Sequence, residues 1–347
     1  MEQEKLAEWF QKNKRDFPWR KDLSPYHVWV SEVMLQQTLA QVVIPYFERW
    51  MQLFPTVEDL AKASLETVIK AWEGLGYYSR ARNLHAGAQQ IVAEFDGKIP
   101  DNENELKKIK GIGDYTAGAI LSFVFHKKAP AVDGNVIRVA SRLMAIDDDI
   151  SQPKTVKKIR ENVEDMLPEE EPWIVMEALI ELGAMICRKK PLCDECPLRQ
   201  QCQAYLQGCE QELPFKSQKI RYENLYRTVF IVKCEDHYLL RVPKKGEIMQ
   251  DLHEFPYVEN RLTKSKAGDY LKSEYQIEAT YKQKLNIVKH TFTRYRAQLF
   301  PFIFETNNMA EVNSLKWVSR SKIGDYAFSS GHRRILSELT SESFRYL

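Results

Sequence analysis

The stretch Leu106-Lys-Lys-Ile-Lys-Gly-Ile-Gly-Asp-Tyr-Thr-Ala-Gly-Ala-Ile120 decides how this 347-residue chain is read. Its pattern predicts a helix ending at Gly111, a Gly-Ile-Gly hairpin, and a second, apolar helix starting near Tyr115. Two glycines let the backbone turn tightly and leave N–H groups exposed beside a helix N-terminus. Such a corner accepts a phosphate without reading any base, so Gly111 and Gly113 become candidate DNA-phosphate contacts. Lys107, Lys108 and Lys110 add positive charge at the same place. The alternative, a plain corner between two helices, explains the glycines but not the lysines.

On either side of this hairpin stand two carboxylates. Asp133, in Ala131-Val-Asp-Gly-Asn-Val-Ile-Arg-Val139, precedes an amphipathic helix and is either its N-cap or a carboxylate held at a site. Glu32 lies in Val28-Trp-Val-Ser-Glu-Val-Met-Leu-Gln-Gln-Thr38, a helix with apolar residues on nearly every face. Burying an unpaired carboxylate costs several kcal/mol or drives it to take up a proton. Two carboxyls in unlike surroundings suit acid–base chemistry on a bond that breaks through a cationic transition state.

Six cysteines follow a different logic. Four of them, Cys187, Cys193, Cys196 and Cys202, form one C-x5-C-x2-C-x5-C cluster, which is not how a disulfide framework distributes its thiols. So dense a set implies tetrahedral zinc or a [4Fe–4S] cluster. Zinc sites favour two C-x2-C knuckles, and the single knuckle here fits a cubane better. Cys209 and Cys234 lie outside the cluster and read as ordinary buried thiols.

The rest of the chain frames these signals. Hydrophobic content of 44% and charged content of 28% exclude a disordered or fibrous chain, and 50 basic against 48 acidic residues leave a net charge of only +2. Residues 1–205 read as successive helices, with apolar positions recurring at three and four. After residue 225 the period becomes that of strands: Tyr226–Lys233 and Tyr238–Val242 as a hairpin, then Tyr281–Val288, Tyr295–Phe304 and Leu315–Val318. Helices are expected at 264–275 and 330–340. The polar, basic stretch 206–222, with Lys216, Lys219 and Arg221, reads as a linker. The expected fold is a mainly α N-terminal part joined to a smaller α+β domain at 223–347. No apolar run approaches the roughly 18 residues of a membrane span. The opening Met1-Glu-Gln-Glu-Lys carries no secretory pattern, so a cytoplasmic protein is expected, nucleoid-associated if bacterial.

Hairpin, aspartate and cysteine cluster together resemble the helix-hairpin-helix, iron–sulfur DNA glycosylase superfamily that includes endonuclease III. Within it, Ser31-Glu-Val-Met-Leu-Gln-Gln-Thr38, Gly74-Leu-Gly-Tyr-Tyr-Ser-Arg-Ala-Arg82 and Val132-Asp-Gly-Asn-Val-Ile-Arg-Val139 are similar to the MutY adenine glycosylase family, which also carries a Nudix-like C-terminal domain. The resemblance implies a six-helix subdomain at 28–130, an iron–sulfur subdomain from 1–27 and 131–205, and a lesion-recognition domain at 223–347. It implies a [4Fe–4S] cofactor, duplex DNA with an adenine mispair as partner, and a monomer without membrane contact. Removal of adenine opposite 8-oxoguanine or guanine follows, with Glu32 protonating adenine N7 and Asp133 stabilising the oxocarbenium sugar. Tyr115 and Asn135 would orient these groups. Trp19, Arg20 and Glu177 become adenine-pocket candidates, and Gln37, Tyr77 and Leu35 wedge candidates beside the opposite base. Bifunctional relatives carry a Lys nucleophile where this chain has Tyr115, which implies a glycosylase with little lyase activity.

Two departures stand out. The family reads 8-oxoguanine with a Phe-Ser-His loop; this chain has Phe292-Thr293-Arg294, an Arg where His is usual. The family also has six residues between its first two cysteines, and here there are five. No Glu cluster of an active Nudix hydrolase is present in 223–347, so recognition is expected there and not pyrophosphate hydrolysis. Rival readings are a pyrimidine or thymine-mismatch glycosylase on the same scaffold, and an iron–sulfur protein that binds lesions without cutting.

Overall fold

The computed structural model describes residues 2–217, 221–244, 246–247 and 249–340. Lys219 and its neighbours in the linker, and the last seven positions of the C-terminal domain, lie outside the described residues. The chain divides into two compact units. One comprises Met1–Ala63 with Ser79–Lys219, the other Ser64–Tyr78 with Ile220–Leu347. The second unit thus takes in a short segment that the periodicity groups with the helices.

The first unit is helical and is built around Pro25–Leu35. Ser24 caps this helix by accepting the His27 N–H at 3.3 Å, with Pro25 in its first turn. Eight of its eleven residues are buried, Glu32 among them. Its C-terminal carbonyls would be orphaned inside the protein, and the Arg80 guanidinium meets them. One Arg80 nitrogen donates to the carbonyls of Val33 at 2.8 Å, Met34 at 2.9 Å and Gln36 at 2.6 Å. The chain then turns through Gln37 at φ +58° into Ala40–Leu53.

The hairpin differs from expectation in one respect. Its first helix, Glu103–Leu106, stops well before Gly111, and residues 107–112 continue as tight turns. The N–H groups of Lys108, Ile109 and Ile112 reach back only three residues, to Glu105, Leu106 and Ile109. Gly111 has φ +86°, and a Cβ there would come within 2.8 Å of the Asn83 Cβ, so glycine is required twice over. The second helix, Asp114–Phe123, is buried from Thr116 onward. Gly118 lets it lie directly on the Pro130 carbonyl, bringing the chain to Asp133 and the helix Gly134–Leu143. Pro172–Met185 packs on that helix through Gly183, where a Cβ would meet the Asn135 Cβ at 2.6 Å. Among the described residues no helix is long and apolar enough to cross a membrane.

The second unit is a twisted mixed sheet flanked by helices. Its strands are β1 Glu223–Cys234, β2 His237–Arg241, β3 Tyr257–Val258, β4 Thr280–Lys284, β5 Val288–Phe292, β6 Tyr295–Glu305 and β7 Leu315–Ser319. The order is β4-β6-β1-β2-β7, with β3 on β1 and β5 on β6. β1 and β6 run parallel from Glu223↔Tyr295 to Lys233↔Glu305. Alternation along β1 sends Val229 and Ile231 into a core with Phe255, Phe328 and Ile335. Phe230 and Val232 enter another with Leu271 and Phe304. The helices Lys264–Tyr275 and Ser330–Thr340 supply the two covers, at the expected positions. The expected single strand Tyr281–Val288 is two. Opposite its middle stands Pro301 of β6, which has no N–H for the ladder; β4 pairs beyond it and β5 before it.

Candidate active site

A cleft of about 820 Å³ opens in the helical unit, and both carboxylates line it. Glu32 is 7% exposed. Its Oε2 accepts the hydroxyl of Tyr115, the first-turn residue of the helix after the hairpin. Burial pushes Glu32 up to about 7, helped by the charges of Asp133 and Glu177 and opposed by the Tyr115 hydrogen bond and Arg20. Asp133 lines the same cleft in a different setting. Its Oδ1 accepts the N–H groups of Asn135 and Val136, both at 2.8 Å, and its Oδ2 the Asn135 amide at 2.8 Å. The choice between cap and site therefore does not arise, because Asp133 caps its helix and faces the cleft. Burial raises its pKa too, but three donors and a helix N-terminus favour its anion, whereas Glu32 has one hydroxyl. Of the two, Glu32 holds a proton more readily.

Trp19, Arg20 and Glu177 line the same cleft. Pro18–Arg20 is a 3-10 turn, and its Trp19 stacks on Phe17 at 4.7 Å and meets the edge of Phe47 at 5.6 Å. The Arg20 Nε donates to Glu177 at 3.2 Å. Gln37 and Leu35 line the cleft as well, Gln37 exposed and Leu35 half-buried. Leu39, beside Gln37, is 77% exposed, a large apolar side chain in water at the rim that the sequence reading passed over. Tyr77 belongs to the other unit, where it is exposed and held at φ +48°.

At the hairpin, Gly111, Gly113 and Lys110 are exposed, and a Cβ on Gly113 would meet nothing. Lys107 adds less charge than the pattern suggests, because Asp114 at 2.5 Å and Glu103 at 3.6 Å pair with it.

Of the four cluster cysteines, Cys187 lies just beyond the end of Pro172–Met185, Cys193 opens the short 3-10 turn Cys193–Glu195 with Cys196 directly after it, and Cys202 directly follows a second such turn, Arg199–Gln201. Among the described residues no group of three or more His, Cys, Asp or Glu is placed to hold a metal ion. The donor chemistry nevertheless suits a thiolate-bound group. Cys193, Cys196 and Cys202 each lie within electrostatic reach of Cys187. The buried Arg142 donates to Cys187 Sγ at 3.4 Å, to the Arg188 carbonyl at 2.6 Å and to the Leu213 carbonyl at 3.0 Å. Burial raises the thiol pKa of Cys193, Cys196 and Cys202, and the Arg142 charge opposes that rise at Cys193 and Cys202. Arg138 ties this loop to the cleft, donating to the Cys187 carbonyl at 2.7 Å and to the Asn135 side chain at 2.8 Å. Outside the cluster, Cys234 is buried but Cys209 is partly exposed.

In the second unit Phe292, Thr293 and Arg294 form the tip of the β5–β6 hairpin, with Thr293 at φ +46°. Arg294 is exposed, donating to the Tyr295 hydroxyl at 3.1 Å and pairing with Glu223 at 3.4 Å.

Arg15, Arg80, Arg138 and Glu181 were not singled out by sequence. Their long-range partners lie 42–166 residues away, and no local pattern announces them, except that Glu181, like Glu32, is a carboxylate in an otherwise mostly apolar helix.

Comparison with known proteins agrees with this architecture. A family described as HhH-GPD superfamily base excision DNA repair protein matches residues 30–166, and the NUDIX domain family matches residues 228–338. In a solved structure of endonuclease III trapped covalently on DNA, the protein is 25% identical with a TM-score of 0.52, covering 59% of this chain and 94% of that one. The helical unit therefore has the fold of the helix-hairpin-helix glycosylases. An adenine DNA glycosylase of Buchnera aphidicola subsp. Acyrthosiphon pisum is 32% identical over 308 residues, which cover 88% of this chain and 87% of that protein. One of Arabidopsis thaliana is 34% identical over 351 residues, covering 85% of this chain and 55% of that protein, so the chain spans about half its length. The chain belongs to the adenine DNA glycosylase family.

Proposed function

We propose that this protein is a monofunctional DNA glycosylase that flips adenine out of a mispair with 8-oxoguanine or guanine and hydrolyses its glycosidic bond. One observation carries the reading: two carboxyls with unequal hydrogen bonding face one cleft large enough for a base. Protonated Glu32 donates to adenine N7 as the C1′–N9 bond breaks, and the bonding pair leaves with a neutral base. Ionised Asp133, fixed by Asn135, faces the developing oxocarbenium ion, and water attacks C1′ and passes its proton to the Glu32 carboxylate left by the first transfer. Tyr115 holds Glu32 and offers no amine, so no Schiff base forms.

Trp19, Arg20 and Glu177 bound the adenine pocket. Gln37, Leu35 and Tyr77 fill the opened stack. Gly111, Gly113 and Lys110 take a phosphate, and Phe292, Thr293 and Arg294 read the opposite base. Cys187, Cys193, Cys196 and Cys202 would hold a [4Fe–4S] cluster, which when bound supplies a structural clasp for the 187–202 loop. The protein acts as a cytoplasmic monomer on duplex DNA, with residues 1–205 catalytic and 223–347 for recognition.

The test is single-turnover adenine release from duplexes pairing adenine with 8-oxoguanine, guanine or thymine. Release fastest opposite 8-oxoguanine is expected. Equal rates opposite 8-oxoguanine and guanine would refute the role given to residues 292–294, and no release from any duplex would refute the glycosylase itself.

A further inference from the structure

Pro172–Met185 is apolar except for two glutamates four residues apart, Glu177 and Glu181, which therefore share one face. Like charges on adjacent turns repel, and two arginines from the N-terminal segment stand between and beside them. Glu181 is 2% exposed. It accepts Arg15 through both oxygens, at 2.8 and 3.1 Å, and Arg20 at 3.0 Å. Arg20 is held at every nitrogen: Nε on Glu177 at 3.2 Å, one terminal nitrogen on Glu181, the other on the Arg15 carbonyl at 2.7 Å. Phe17 lies beneath both guanidiniums, 4.9 Å from Arg15 and 5.3 Å from Arg20. Charge thus alternates along the cleft wall as Arg15, Glu181, Arg20, Glu177.

Stability alone is a poor reason for such a network, since well-packed apolar residues often replace a buried ion pair without loss. Its distinctive product is geometry. A guanidinium tied at three nitrogens cannot swing, and Glu177 is fixed with it. We propose that Glu181 is a positioning residue, which locks the Arg20 fork, and through it Glu177, in the orientation that the adenine pocket requires. This rests on reading the cleft as that pocket.

The network also reaches the proton donor. Glu32 is faced by Tyr115 and Asp133, by Glu177 from this helix and by Arg20 from the Pro18–Arg20 turn. Replacing Glu181 by neutral Gln leaves the two arginines less compensated, which favours ionised Glu32. Protonated Glu32 is the active form, so the fall in rate with rising pH should begin at lower pH in the variant.

The experiment measures single-turnover adenine release across pH for the full-length wild type, Glu181→Gln and Glu181→Asp, alongside affinity for the same duplex. Expected for Glu181→Gln is a roughly ten- to hundred-fold slower step at saturating enzyme, as for slight misplacement of a positioned group, with duplex affinity unchanged and the pH profile displaced to the acid side. Glu181→Asp should recover part of the rate. Should Glu181→Gln fail to fold, Arg15→Lys, which keeps the charge but loses the fork, should give the same pattern more weakly. An unchanged rate and profile, or rate and duplex affinity falling together, would overturn the proposal while the wild type remains active. A wild type that releases no adenine overturns the parent reading and this one together.

Discussion

Glu32 in the helical unit and Glu254 in the sheet unit are both buried carboxylates, and burial pushes each up to about 7. Their surroundings differ. Glu254 lies opposite Arg241, with which it exchanges backbone hydrogen bonds at 2.7 and 2.9 Å. Its side chain accepts Ser329 at 3.1 Å and Arg241 at 3.2 Å, with the buried His332 at 3.8 Å. Glu32 accepts one tyrosine hydroxyl and fronts a cleft. A shifted pKa alone therefore does not mark a site. What distinguishes Glu32 is hydrogen-bonding capacity left open toward a space that a base can enter.

The largest effect separates the two directly. Glu32→Gln should slow adenine release by at least about 10²-fold, as for loss of a general acid, while leaving thermal stability and duplex affinity near wild type. Glu254→Gln should do the reverse, changing the melting temperature but not release opposite guanine. Equal losses of activity in both variants would refute a role in chemistry for Glu32 and in folding alone for Glu254.

pH divides them next. With Glu32 in its proposed role of general acid, release should fall as pH rises through about 7. Glu254 registers in stability instead. Its folded-state pKa lies above the ordinary carboxylate value, so its contribution is fully present below about 4.5 and is lost as pH rises through about 7. Denaturant melts at pH 5 and pH 8 should show that slope in the wild type and a flatter one in Glu254→Gln. A slope that survives in the variant would assign it to other groups.

These two residues also show what a sequence exposes. Glu32 was legible because a lone carboxylate interrupts an apolar helix, and the hairpin and Asp133 were legible because glycines and a cap are local chemistry. Glu254 sits in Asp251-Leu-His-Glu-Phe-Pro256, where nothing periodic marks it as buried. The helices 264–275 and 330–340 fell where their periodicity put them. The break between β4 and β5 did not, because its cause is Pro301 on the neighbouring strand. Glu181 carried the same signal as Glu32, but its meaning depends on Arg15, 166 residues away.

The smallest expected effect concerns an exposed residue, Arg294. Its side chain meets the Tyr295 hydroxyl and ring and exposed Glu223, contacts that solvent screens and that contribute little to folding. Arg294→His should therefore leave the melting temperature where it is. Any change must come from the charge and reach the hairpin tip presents to DNA, since Arg is a permanent cation and His near neutrality is mostly not. Release opposite guanine should hold, and the ratio of release opposite 8-oxoguanine to that opposite guanine should move by several-fold at most, roughly the ~1 kcal/mol scale of one exchanged base contact. If both rates fall in parallel, with a weaker dependence of binding on salt, Arg294 contacts phosphate instead. The β5–β6 tip would then anchor the duplex without reading its bases.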